Sequence, residues 1–136
     1  MYKSRVRRKV TWGDLDPMGI VFYPRFYEWI DEAAHLFFDR LNLNLNNLFK
    51  EKKLIFMLVE TGARYIKPVR YHDEVEIVTY VKEIQSKVIT LHHEIINTKD
   101  QSRLVEGYEK RVCVQVMPEQ RLKAIPIPAD IRKKLS

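Results

Sequence analysis

Cysteine is nearly absent from this chain. Of 136 residues only Cys113 carries a thiol, so no disulfide can form within it, and the flanking Val112, Val114 and Val116 give that thiol a buried apolar place in a strand. Glycine is scarce too, at four residues, with no glycine-rich phosphate loop and no Gly-x-Ser-x-Gly elbow; nucleotide hydrolases and α/β-type serine hydrolases are set aside on that ground. The four histidines, His35, His72, His92 and His93, form no His-Glu-x-x-His pattern, and a metal site is not expected. His92 and His93 are neighbours in a strand-like run, so they face opposite sides and do not act as a pair. No apolar run approaches the roughly 20 residues of a membrane span. Residues 1–5 lead into a strand pattern instead of a secretion signal, which makes the cytoplasm the expected location.

Acidic residues are outnumbered, 18 against 24 basic ones, for a formal net charge of +6. That balance favours a polyanionic partner: nucleic acid, an anionic membrane or a phosphate-rich small molecule. Nucleic acid is the weakest of these, because no RNA-recognition aromatic motif, helix-turn-helix signature or zinc finger accompanies the charge. The basic cluster Arg5, Arg7, Arg8 and Lys9 alternates with Val6, Val10 and Trp12 and reads as the solvated face of a strand.

The period of the apolar residues divides the remainder. Residues 4–12 alternate as a first strand. From Pro24 to about Leu41 the positions Phe26, Ile30, Ala33, Phe37 and Leu41 follow helical spacing, and Tyr27, Ala34 and Phe38 widen the apolar arc, so the helix should be buried on most sides. A short surface helix is expected within 42–53, with Leu45, Leu48 and Phe49 inward. Strands follow from Ile55 to about Tyr65, where Pro68 interrupts, then around Val75 to Val81, over 87–96 and over 104–117; Gly107 is a candidate bulge. Residues 97–102 are turn-forming, so the last two strands should pair as a hairpin, and 129–135 can form a final helical turn or two. One strand, one long helix and a meander of four strands give an α+β architecture with an antiparallel sheet. A single helix cannot cover both faces and edges of that sheet, which predicts a second copy of the chain against it.

The chemistry concentrates in Trp12-Gly13-Asp14-Leu15-Asp16-Pro17-Met18-Gly19-Ile20-Val21-Phe22-Tyr23-Pro24. Pro17 pushes Asp16 out of helical angles, and Gly13 and Gly19 permit turns closed to other residues. Tyr23 reads as a helix cap and Pro24 as the first helical residue. The unpaired amides of that first turn carry partial positive charge and suit an oxyanion. A carboxylate and an oxyanion donor therefore share one short segment, although turn chemistry alone could explain both aspartates. On the helix, Asp31 shares a stripe with Tyr27, Ala34 and Phe38. It reads either as a surface acid at the edge of the apolar arc or as a pocket group for a polar ligand end.

This loop, with the aromatic-rich helix after it, resembles the hotdog-fold acyl-CoA thioesterases of the 4-hydroxybenzoyl-CoA thioesterase and YbgC-like family. The tail 121–129, Arg-Leu-Lys-Ala-Ile-Pro-Ile-Pro-Ala, is similar to the corresponding tail of the 4-hydroxybenzoyl-CoA type. The resemblance implies one hotdog domain over 1–136, an antiparallel sheet of about five strands wrapped around one long central helix. It implies Asp16 as the catalytic residue, attacking the thioester carbonyl or activating a water, with the Tyr23 amide receiving the thioester oxygen and Asp14 fixing the turn. Gly19, Ile20 and Val21 would contact substrate, and Asp31 would meet a polar acyl end such as an aryl hydroxyl. Lys87 falls where the family grips the coenzyme A phosphates, with Gln85 and Ser86 in place of its arginines, and Arg64 near the Pro68 break is a substitute. The substrate would be an acyl-CoA or acyl carrier protein, no separate cofactor is implied, and homodimers would assemble into a homotetramer. A non-catalytic hotdog module binding the same ligands is the alternative.

Overall fold

The computed structural model describes residues 1–136. Six strands form one antiparallel sheet: β1 (Ser4–Lys9), β2 (Leu54–Tyr65), β3 (Glu74–Ile84), β4 (Val88–Asn97), β5 (Arg103–Met117) and β6 (Arg121–Ala124). Their order is β1-β3-β4-β5-β2, with β6 pairing beside β5. The long helix α1 (Pro24–Arg40) lies on one face, α2 (Leu45–Lys52) precedes β2, and α3 (Ala129–Leu135) closes the chain. No helix is long and apolar enough to cross a membrane.

The α1 boundaries match the periodicity. Phe26, Trp29, Ile30, Ala33, Ala34, Phe37 and Phe38 are buried, two adjacent rows of a 3.6-residue repeat that together make a wide apolar arc. Residues 97–102 close the β4–β5 hairpin, the Asn97 and Gln101 amides donating to Ser102 O and Asn97 O.

Four details depart from the sequence expectations. The first strand stops at Lys9, and Trp12–Asp14 forms a 3₁₀ turn instead of continuing it, because the Asp14 carboxylate captures both the amide and the hydroxyl of Thr11, each at 2.9 Å. The sheet has a sixth strand, β6, whose four residues are all exposed and carry no alternation to read. Gly107 is no bulge: it pairs regularly with Ala63 and His93. A Cβ there would come within 2.7 Å of Ile30 Cδ1, so the glycine lets α1 lie close on the sheet. Phe49 points outward, exposed, while Leu48 is buried and Leu45, half-buried, packs against the core as expected. Asn44 caps α2 by accepting from the Asn47 amide at 3.0 Å, which sets that rotation.

The core beneath α1 has two halves. One gathers Phe26, Trp29, Ile30, Val69, Ile77 and Ile95 near the start of α1; the other gathers Phe37, Phe38, Phe56, Leu91 and Cys113 toward its end. Between them runs a buried polar chain across three strands. Thr79 Oγ1 meets His93 Nδ1 at 2.8 Å, His93 Nε2 meets Glu109 Oε1 at 3.1 Å, and Arg111 donates to Glu109 Oε2 at 3.0 Å and to Phe56 O at 3.2 Å. Burial pushes the Glu109 carboxyl upward, but the His93 hydrogen bond and the Arg111 charge outweigh it and hold the group below the usual carboxylate range. His93 thus faces the core while His92 lines a cavity of about 680 Å³ on the opposite face.

Candidate active site

The loop between the 3₁₀ turn and α1 is tied down by backbone hydrogen bonds at both of its ends. The Asp16 amide donates to Ile20 O at 2.8 Å and the Gly19 amide to Asp16 O at 2.9 Å, a tight turn with Pro17 and Met18 at its centre and Gly19 at φ +78°, as its sequence demands. Leu15 bridges Val21, Ile20 bridges Arg70, and the Val21 amide donates to Val69 O at 2.8 Å. The loop is thereby stitched to the segment that joins β2 to β3.

The two aspartates separate cleanly. Asp14 is buried, its Oδ2 accepts both Thr11 bonds, and Arg8 and Arg25 approach its Oδ1 at 3.8 Å. It is a loop-fixing residue with no oxygen to spare. Asp16 is half-buried; its Oδ1 accepts the Met18 amide at 2.8 Å and its Oδ2 has no partner. One carboxylate oxygen is oriented by the turn and the other is free for chemistry.

Tyr23 sits at the start of α1 with helical angles, φ −55° and ψ −31°, and makes no side-chain cap. Arg25 and Phe26 donate to Phe22 O and Tyr23 O, while the Tyr23 amide donates to nothing. That free N–H carries the positive end of a 17-residue helix.

Asp16, Ile20, Val21 and Tyr23 line one pocket of about 380 Å³, completed by Phe26, Tyr65, Ile66, Lys67, Pro68 and Val69. The structure thus brings together four of the residues singled out in the sequence. Gly19 shapes the loop without lining the pocket. Asp31 lies outside it, its side chain 61% exposed and 3.5 Å from both His35 Nε2 and Arg111. Arg64 is exposed on the far face of the sheet, 3.4 Å from Glu106. Lys87 follows the far end of β3, whose 11 residues span about 33 Å at strand rise, so it does not reach Asp16 within one chain.

Sequence reasoning missed Phe26, Tyr65 and Ile66 as pocket walls. For Tyr65 and Ile66 the signal is the Pro68 break: a strand that ends at Tyr65 shortly before it leaves an aromatic at the junction. Burial, helped by the neighbouring Tyr27 and Tyr23 hydroxyls, pushes the Tyr65 phenol up to about 12.

A long helix laid on one face of a continuous antiparallel sheet, with an acid-bearing loop at the helix start, defines a hotdog domain. The chain belongs to the thioesterase-like superfamily, whose family model matches residues 10–135. It is 28% identical over 130 residues to the 4-hydroxybenzoyl-CoA thioesterase of Pseudomonas sp. strain CBS-3, covering 92% of each chain. Among solved structures it is similar to a gentisyl-coenzyme A thioesterase, at 32% identity and TM-score 0.80 over 97% of this chain and 98% of that one. A 4-hydroxybenzoyl-CoA thioesterase mutant complexed with 4-hydroxybenzoyl-CoA is also similar, at 27% identity and TM-score 0.89 over 98% and 99%.

Proposed function

We propose that this protein hydrolyses acyl-CoA thioesters in the Asp16 pocket, with aromatic acyl groups as the preferred class. The observation that carries this reading is the pairing of a carboxylate oxygen without a partner, on Asp16, with an unpaired amide, on Tyr23, along one largely apolar pocket. The Tyr23 N–H would donate a hydrogen bond to the thioester oxygen as negative charge develops on it, a contribution of roughly 3 kcal/mol to lowering the barrier. Asp16 Oδ2 would either attack the carbonyl carbon, giving a mixed anhydride that water cleaves, or take a proton from the attacking water. Both routes release the coenzyme A thiol and a carboxylic acid. A carboxylate, an amide and water suffice for them, so the reading assigns no cofactor.

The assembly belongs to the same proposal. β2 is an edge strand, hydrogen-bonded only to β5, with Leu58 and Val59 exposed along it; an unpaired edge of 12 residues suits antiparallel pairing with a second copy. Dimers assembling into a tetramer would let Asp31 and Lys87 of neighbouring subunits serve the acyl end and the coenzyme A phosphates, which one chain leaves distant from Asp16. The relatives' named substrates, 4-hydroxybenzoyl-CoA and gentisyl-CoA, support an aromatic acyl group. Free-thiol release from a panel of short, long and aromatic acyl-CoAs tests the reading. Hydrolysis of none of them refutes it and leaves a binding module.

A further inference from the structure

The lining of the Asp16 pocket is of two kinds. Ile20, Val21, Pro68 and Val69 contribute aliphatic surface, and Phe26 and Tyr65 form an aromatic wall. The two rings lie 5.7 Å apart at an interplanar angle of 34°, and Tyr23 meets Tyr65 edge-on at 6.4 Å and 65°. The aromatic wall is held from behind. Phe26 is buried and packs edge-on against Trp29 at 5.4 Å and 83°, and the Arg8 guanidinium covers the Trp29 ring at 4.9 Å. Tyr65 ends β2 in register with Val105, and the next two amides, of Ile66 and Lys67, both donate to Leu104 O. Its backbone is fixed where the strand breaks, yet the residue stays 47% exposed and lines the pocket, where a ligand can reach it.

We propose that Tyr65, backed by Phe26, is a specificity-determining residue of this pocket that selects a flat, conjugated acyl group over a puckered one of the same carbon count. The inference rests on the proposed thioesterase activity and adds to it the residue that reads acyl shape. A planar ring can stack offset or edge-on against the Phe26–Tyr65 wall while its thioester carbonyl meets the Tyr23 amide; a saturated ring presents axial hydrogens and loses that contact. An all-aliphatic lining would give no such discrimination.

The test compares kcat/KM for benzoyl-CoA and cyclohexanecarbonyl-CoA, two acyl groups with the same number of carbons. Wild type should prefer benzoyl-CoA at least 10-fold, and Tyr65→Leu should shrink that preference about 3- to 10-fold, the worth of one aromatic contact. Tyr65→Phe, which keeps the ring, should retain the ratio; Tyr65→Val reads the same ratio if the leucine variant does not fold. An unchanged preference in Tyr65→Leu, or no preference in wild type, overturns the inference while leaving the thioesterase reading intact. Hydrolysis of neither substrate, nor of any other acyl-CoA, removes the parent reading and this inference with it.

Discussion

Arg111→Met should be one of the most damaging single substitutions in the core, and its pH dependence should run opposite to that of wild type. Arg111 is buried and donates to Glu109, itself only 2% exposed. Removing the guanidinium leaves Glu109 with His93 alone at 3.1 Å. Breaking one partner of a buried ion pair costs about 3–5 kcal/mol, a large share of the 5–15 kcal/mol expected for a domain of this size. Replacing both members, as in Glu109→Met with Arg111→Met, removes the uncompensated charge. The remaining loss is then roughly 1–3 kcal/mol for an unsatisfied His93, so the double variant should be no less stable than the single one. The sign of the pH effect follows from the folded state. In wild type the Glu109 carboxyl is held below its ordinary range by His93 and Arg111, against burial. Its contribution is therefore present above the unfolded carboxyl value of about 4.3 and lost as pH falls through the folded value. Without Arg111, the burial that raises the Glu109 carboxyl is opposed by the His93 contact alone, so acidification from pH 7 toward 5, which neutralises that carboxylate, should restore stability. Urea denaturation of wild type and Arg111→Met at pH 7.5, 6 and 5, with Glu109→Gln as the non-titrating control, measures this. A loss below 1 kcal/mol at pH 7.5, or an Arg111→Met slope parallel to wild type, would refute the placement of a charged pair in this core.

Gly107→Ala should cost about 1–3 kcal/mol by overpacking, because its new methyl would sit 2.7 Å from Ile30 Cδ1; Ile30→Val in the same chain should recover part of the loss in thermal denaturation. Val59→Lys, on the exposed edge of β2, should leave the monomer folded but shift sedimentation to the smaller species, and an unchanged profile would remove β2 as the dimer edge.

The parts of the fold that were legible in the sequence are those whose pattern is local. The α1 helix was readable because Phe26, Ile30, Ala33 and Phe37 repeat at helical spacing, and the β4–β5 hairpin because residues 97–102 are turn formers. Asp16 stood out because Pro17 and Gly19 constrain its turn. The polar chain was not readable, since Thr79, His93 and Glu109 come from three strands and meet only through register. Its one trace is that Glu109 and Arg111 share the face of Cys113 at period two, charges where an apolar residue would be expected. Tyr65 escaped for the same reason: its pocket is made by the bridge of Ile20 to Arg70, a contact of high sequence separation. Phe49 faces outward against expectation because helical spacing alone does not fix which side of a short helix faces inward.

Free-thiol release by Asp16→Asn, set beside wild type and Asp14→Asn, tests the catalytic reading most directly. With the fold intact by circular dichroism, Asp16→Asn should lose about 10²- to 10⁴-fold in kcat, while Asp14→Asn loses mainly stability, about 2 kcal/mol from its two Thr11 bonds. An Asp16→Asn protein that retains kcat within a few-fold of wild type on its best acyl-CoA would contradict Asp16 as the group that drives hydrolysis.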